Sequence, residues 1–378
     1  MHVIRLLVFL LSVAVIFMSH TQRGRAAEAE EVQASYKVGD GLKVGNEKNQ
    51  THLQARLQNR FTYDVLEGTP DTNSFAIQRG KIKAEGYVWE KKLRFGLQLN
   101  AATKSRASTT AVCTDAGCTT TANAVTTEST TGIAILEDYY FDWVHSKEFG
   151  IKGGQYKVPF LMQELTSSGK QQFVDRGLAT DSFNLRRDLG ITFHGNFMQT
   201  ELGYSLFVMN GDGVNTSNRN KSVLTGIRFE LPILGTYVTS ESDTDNSLNH
   251  NLGVGAAYVY NKPGATSQDM SHETLDVGYK YVGWSFQGAG MISRASTTTW
   301  GYNVQVGKFI IPKHLEVALK NGGVIIDGAA NPSEYSTGLN YFVVGHGIKL
   351  QLDYATLINA RGQDINDNRI RAQMQVIF

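Results

Sequence analysis

The last ten residues, Arg369–Phe378, read RIRAQMQVIF. Ile370, Ala372, Met374, Val376 and Phe378 are apolar, and Arg369, Arg371, Gln373 and Gln375 between them are polar or charged. Successive side chains of a strand point to opposite faces, so this stretch has one apolar face and one wet face. Two architectures use such a strand: a soluble sandwich with one face covered, and a closed barrel that is oily outside and wet inside. The rest of the chain has to decide between them.

The same period recurs upstream. In His52–Tyr63, Leu53, Ala55, Leu57, Phe61 and Tyr63 face one way, while Gln54, Arg56, Gln58 and Arg60 face the other. Phe75–Val88 sets Arg79, Lys81, Lys83 and Glu85 against Ile82, Ala84, Gly86 and Val88, and Lys92–Asn100 follows with Lys92, Arg94, Gln98 and Asn100 on one side. Further strands are expected at Ile133–Trp143, Phe149–Lys157, Asp188–Asn196, Thr200–Met209, Lys221–Leu231, His250–Asn261, Glu273–Val282 and Trp284–Ser293. Trp300–Lys308, Lys313–Val324, Ser333–Val343, Gly347–Ile358 and Asn368–Phe378 complete sixteen. The facing of Ile133–Trp143 is ambiguous, because Glu137 and Asp138 fall on opposite sides. Between Val158 and Arg187 the alternation stops, and a short helix is expected near Ser168–Val174.

Connections decide the architecture. Val282-Gly283, Pro312-Lys313 and Gly345-His346-Gly347 are tight turns, where Gly or Pro fits the backbone. They alternate with longer links, the exception being Pro232–Asn249, which is long on the short-turn side. An even strand count with short turns on one side and long loops on the other is the pattern of a transmembrane barrel. A sandwich has no reason for it. Lipid supplies no hydrogen bonds, so strands that cross it must close into a ring, and sixteen leave a water-filled lumen. The expected fold is therefore all-β: a transmembrane antiparallel β-barrel of 16 strands over residues 51–378, with the third long loop, 158–187, folded into the lumen. Tyr139, Tyr140, Trp143, Trp284 and Trp300 near strand ends suit interfacial aromatic girdles.

The N-terminus supplies the address. His2 and Arg5 precede an apolar run, Leu6–Met18, and a small-residue site, Ala27-Glu28-Ala29. That layout predicts a signal peptide over residues 1–29. The run is short for a bilayer span, which takes about 20 residues; an uncleaved anchor is the alternative. Residues 30–50 read as a periplasmic lead-in with a short strand at Leu42–Val44. Removing Arg5, Arg23, Arg25 and Glu28 takes basic residues from 36 to 33 and acidic ones from 35 to 34, so net charge is near zero and no nucleic-acid partner is expected. Cys113 and Cys118 lie in a Thr-rich stretch, 101–131, of an exported chain, which favours a loop disulfide over two free thiols.

Several stretches resemble one known family. Gly154-Gln155-Tyr156-Lys157-Val158-Pro159-Phe160 with Glu164-Leu165-Thr166-Ser167-Ser168, Arg187-Asp188-Leu189-Gly190-Ile191, Asn210-Gly211-Asp212-Gly213, Phe309–Ala318 and Glu334–Tyr354 are similar, in order, to the phosphate-selective porin O/P family. The resemblance implies a trimeric bacterial outer-membrane porin whose third loop makes the constriction, passing phosphate or polyphosphate along Arg and Lys. The Thr-rich insertion and a sparser run of basic residues depart from that pattern.

The expected mechanism is passive diffusion of small anions biased by fixed charge, with no enzyme activity and no cofactor or metal. A ring of Arg or Lys favours anions, but beyond roughly 8 Å physiological salt screens each charge. Only charges at a narrow point select strongly. The candidates are Lys170, Arg176, Arg186 and Arg187 on the third loop, with Arg56, Arg60, Arg79 and Lys81 opposite and Lys83, Arg94 and Arg371 nearby. The competing reading is that some of these pair with lumen acids such as Glu85, Glu230, Asp276, Glu316 and Asp353 and merely fix loop to wall. A general or organic-solute porin is the alternative function. A barrel enzyme is the remote one: His194 and Ser205 sit on adjacent strands without triad logic. Asp243, Asp245 and Asn246 read as a solvated turn rather than a calcium site. Expected partners are outer-membrane lipid, small anionic solutes, two further copies in a homotrimer, and the barrel-assembly machinery at Phe378.

Overall fold

The computed structural model describes residues 31–102, 135–218, 221–262, 269–326, 331–362 and 364–378, and the backbone of 112–114 and 117–119. The signal-peptide expectation for residues 1–29 lies outside the described residues. Residues Ala34–Phe378 form one compact unit. Its strands run β1 (Gln33–Lys37), β2 (Gly41–Gly45), β3 (Gln50–Val65), β4 (Thr72–Val88), β5 (Leu93–Asn100), β6 (Val112–Thr114) and β7 (Gly117–Thr119). Then come β8 (Ile135–Val144), β9 (Gly150–Lys157), β10 (Arg187–Asn196), β11 (Gly203–Met209), β12 (Leu224–Leu234), β13 (Asn251–Asn261) and β14 (Met270–Tyr281). The set ends with β15 (Trp284–Arg294), β16 (Thr298–Ile311), β17 (Leu315–Ile326), β18 (Ser333–Val344), β19 (Ile348–Ile358) and β20 (Asn366–Ile377).

Sixteen of these, β3–β5 and β8–β20, pair antiparallel, each with its neighbour in the chain. β20 then pairs with β3 and closes the ring. Burial is inverted relative to a soluble protein, as the alternation predicts. On β20, Arg371 is 5% exposed and Gln375 0%, whereas Ile370 is 39% and Met374 47% exposed. The polar face is therefore the enclosed one.

The closing seam is built from β2 and β20 on β3. β20 covers the edge of β3 from Ile377 opposite Arg56 to Asn368 opposite Val65. β2 covers the same strand lower down, Leu42 opposite Leu53 to Gly45 opposite Gln50. Phe378 exchanges backbone bonds with Ala55 (2.7 and 2.9 Å), and Gly39 N–H donates to the Ile377 carbonyl at 3.0 Å.

At the rim carrying β2 and Phe378, connections are mostly tight. Val282 and Gly283 both have positive φ (44° and 73°), as a two-residue hairpin turn of the primed type requires. The exception is residues 235–250. Far from being a solvated turn, its Glu241, Ser242 and Asp243 are buried. Asp243 accepts from Ser247 N–H and from Gly283 N–H at 2.8 Å.

A register shift resolves the facing of β8. Gln98 opposes Asp138 while Leu99 opposes Leu136, leaving Glu137 as the extra residue of a bulge. Bulges re-aim side chains, and here both Glu137 and Asp138 reach the same interior cavity. Tyr140 is likewise an interior residue, packed edge-on against Tyr156, not a girdle residue; Tyr139, Trp284 and Trp300 are exposed outward.

The helix expected near Ser168–Val174 is absent. Short helices stand on either side, α1 (Met162–Leu165) and α2 (Leu178–Phe183). The intervening backbone is open because wall side chains take its hydrogen bonds. Gln58, Gln375, Lys349, Asn340 and Arg60 donate to the carbonyls of Ser168, Gly169, Gln171, Gln172 and Val174. Glu241 and Asp353 accept from the N–H groups of Gln172 and Val174. The backbone needs no helix to be satisfied. In the hairpin β6–β7 the register sets Cys113 opposite Cys118; the disulfide expectation concerns side chains outside the described residues.

Candidate functional site

The segment 158–186 is held by apolar contacts first. Phe160, Leu161, Phe173 and Phe183 are all buried. They join a cluster with interior residues Phe207, Met209, Val259, Met291 and Val324, or, for Phe173, sit over Gly338. At about 1.5–3 kcal/mol for each large side chain, these four outweigh any single ion pair in the lumen. Polar bonds then set register: Met162 N–H to Asp276 at 3.3 Å, Gln163 to Gln305 at 2.9 Å, Gln172 to Glu316 at 2.7 Å, Leu178 N–H to Glu334 at 2.7 Å. From the terminal rim, residues 235–250 meet it: Glu241 N–H donates to the Lys170 carbonyl at 3.1 Å. Ser242 and Lys280 continue the contact, with Ser242 bonded to Glu316 at 2.8 Å.

These contacts fall on β11–β20 and β3. Between the segment and the rest of the wall, mainly β4, β5 and β8–β12, lie two cavities. The outer one, about 620 Å³, is lined by Arg56, Arg79, Lys81, Lys83, Lys152, Lys157, Arg176, Arg186 and Arg187, together with Glu137, Asp138, Glu164, Asp175 and Asp181. The inner one, about 430 Å³, lies toward the terminal rim and is lined by Arg94, Asp142, Lys152, Lys157, His194, Tyr204, Arg228 and Glu230.

Most of the predicted cations carry a carboxylate. Asp175 joins Arg60 (2.8 Å) and Arg79 (3.0 Å). Glu137 takes Lys81 at 2.5 Å, Asp138 takes Arg187 at 2.8 Å, and Glu164 takes Arg176 at 2.8 Å. Lys83 pairs with Glu85 at 2.6 Å, and Arg371 with Asp353 at 2.7 and 2.8 Å. Among the described residues, Arg56, Lys152, Lys157 and Arg186 line the outer cavity with no such ion pair, against Asp181 alone on the acidic side. Arg56 donates to the hydroxyls of Ser167 (3.2 Å) and Ser168 (2.9 Å), and its buried Nε finds no partner. A Cβ at Gly169 would stand 2.3 Å from that guanidinium, so a larger residue there would displace the Arg56 side chain. Lys170 lies apart, at the meeting with residues 235–250, and Arg94 lines the inner cavity.

Two loop carboxyls behave oppositely. Burial pushes Asp175 up, but Arg79, Arg60 and Arg371 outweigh it and hold the group well below the usual carboxylate range. Asp181 touches lumen water yet is enclosed by wall and loop; that enclosure, with Asp175 nearby, pushes it up to about 6. Sequence reading missed Lys152 and Lys157, whose face could not be told in a strand that ends in the irregular segment. It also missed Asp175, whose partners lie far away in the chain.

His194 stands opposite Ser205 in the β10–β11 ladder. Its Nε2 is engaged by Asp142 at 2.7 Å, and among the described residues no hydrogen bond joins it to Ser205. His194 therefore does not activate the Ser205 hydroxyl.

Known proteins resemble this chain in sequence or in fold. An uncharacterised protein of Aquifex aeolicus is 22% identical over 282 residues, 63% of this chain and 67% of that protein. The anion-selective porin from Comamonas acidovorans superposes with a TM-score of 0.57 at 10% identity, covering 88% of this chain and 100% of that one. OmpT of Vibrio cholerae in its trimer form gives 0.52 at 10% identity, covering 87% and 99%. At such identity the likeness to solved structures is one of fold. The sequence pattern described as phosphate-selective porin O and P matches residues 52–281. With a closed ring of sixteen strands around polar cavities, the chain is an outer-membrane channel protein, and it belongs to the phosphate-selective porin O and P family.

Proposed function

We propose that this channel carries small anions by passive diffusion, with segment 158–186 as its constriction. The observation behind this reading is the charge left over in the outer cavity: Arg56, Lys152, Lys157 and Arg186 without an ion-paired carboxylate, against Asp181. A surplus of fixed positive charge in a confined passage favours anions. The fold-mate from Comamonas is itself anion-selective. By family, phosphate or polyphosphate is the solute. The protein works as a channel and not as an enzyme, after loss of residues 1–29. It assembles as a homotrimer, as the Vibrio fold-mate does, and Phe378 presents the last strand to the assembly machinery. Reversal potentials in planar bilayers under a potassium chloride gradient test the reading. A value on the chloride side is expected, and one on the potassium side overturns it.

A specific observation favours a second reading, a general or organic-solute porin. Arg60, Arg79, Arg176, Arg187 and Arg371 are all engaged by carboxylates. Guanidiniums so engaged present no free fork for bidentate phosphate binding. Block of chloride current by millimolar phosphate supports phosphate specificity; equal passage of both ions supports the second reading.

A further inference from the structure

The two cavities share four lining residues: Lys152, Tyr156, Lys157 and Leu165. A solute that moves from one to the other passes these side chains. Leu165 carries no charge. Lys157 spends its ammonium on the end of α1, donating to the carbonyls of Glu164, Leu165 and Thr166 at 2.5, 3.3 and 3.1 Å. Lys152 differs. Among the described residues no hydrogen bond or ion pair holds its ammonium; its carbonyl accepts from the Tyr156 hydroxyl at 3.3 Å. Asp142, its neighbour across the ladder, is taken by His194. The Lys152 ammonium lies instead over two rings, Tyr140 at 3.7 Å and Tyr156 at 4.4 Å. The rings are themselves fixed: they pack edge-on at 6.1 Å, and the Tyr156 hydroxyl bonds Thr192 at 2.8 Å.

An aromatic face attracts a cation without cancelling its charge. The two tyrosines thus locate a full positive charge at the junction and leave it available to the solute. The geometry points to Lys152 as the residue that sets the anion preference of the channel, ahead of the more numerous arginines of the outer cavity. This rests on the anion-channel reading and adds its location. It also says what class of solute is favoured. An ammonium is a point charge with no planar fork, so the junction accepts chloride, carboxylates and phosphate alike, ranked by size and charge.

The test uses the full-length protein in planar bilayers. Lys152→Gln is compared with Lys91→Gln, which removes the same charge from another lysine over a tyrosine, Tyr87 at 5.5 Å, but in the β4–β5 turn. Lys152→Gln is expected to lower the chloride-to-potassium permeability ratio severalfold, Lys152→Arg to keep it, and Lys91→Gln to leave it as in the wild type. Lys152→Met serves should the glutamine variant not assemble. An unchanged ratio in Lys152→Gln, or an equal drop in Lys91→Gln, overturns the inference while leaving the anion-channel reading intact. A wild-type reversal potential on the potassium side instead overturns that reading, and this inference with it.

Discussion

Asp175→Asn separates charge from architecture in the lumen. Asp175 lies between Arg60 and Arg79, at 2.8 and 3.0 Å, and both arginines are buried in the wall. At an effective dielectric near 20, each contact is worth ~6 kcal/mol before desolvation. Removing one partner of a buried pair costs about 3–5 kcal/mol net. Because a quarter of the Asp175 side chain stays wetted (25%), the lower end applies. The four large apolar anchors of segment 158–186 contribute about 6–12 kcal/mol by comparison. The loop should therefore stay in place while the lumen gains one positive charge. Conductance in asymmetric potassium chloride is expected to stay near the wild-type level, with the reversal potential shifted further to the chloride side. Adding Arg79→Gln should return it. A jump to a much larger, noisy conductance would mean that Asp175 holds the loop. An unchanged reversal potential would mean that the outer cavity is not on the path. Either result refutes the reasoning.

Other perturbations read other parts of the same wall. Asp181 is raised to about 6, so it is charged above that pH and neutral below it. Anion preference should rise as pH falls from 7 to 5, and Asp181→Asn should flatten that step in reversal-potential measurements. Arg228 and Asp276 meet at 2.9 Å through both terminal guanidinium nitrogens, and both residues are buried. Asp276→Asn should cost about 3–5 kcal/mol and lower the temperature at which the folded band is lost in heat-modifiable gel migration. An unshifted temperature would place that pair in water. Gly283 has φ of 73°, so Gly283→Val should lose about 1–2 kcal/mol and lower that temperature to a smaller degree.

The strands and their facing were legible because lipid outside and water inside impose a period of two on every wall residue. Arg371, Gln373 and Gln375 declare their side in the primary structure. What escaped depends on contacts that local pattern does not encode. The bulge at Glu137 adds one residue to a ladder, and nothing in ILEDYYFDWV marks where. A short helix is expected around Ser168–Val174, yet Gln58, Asn340, Lys349 and Gln375, from strands remote in sequence, take over its backbone. Asp243 looks like a turn residue and is buried because residues 235–250 rise to meet Lys170. The basic character of the lumen could be read from alternate positions. Which cations remain unpaired could not, since Asp175, Glu137 and Asp138 reach their partners only after closure.

β2 and β20 share one edge of β3 end to end, with Gln54 alone between the Phe378 rung at Ala55 and the Leu42 rung at Leu53. A one-residue slide of the final strand would turn Arg371 and Gln375 toward the oily side. The downward slide is obstructed, because Gly39 and β2 already stand where Phe378 would go. The lead-in therefore works as a doorstop for the last strand, and shortening it should give mis-closed rings rather than weaker ones.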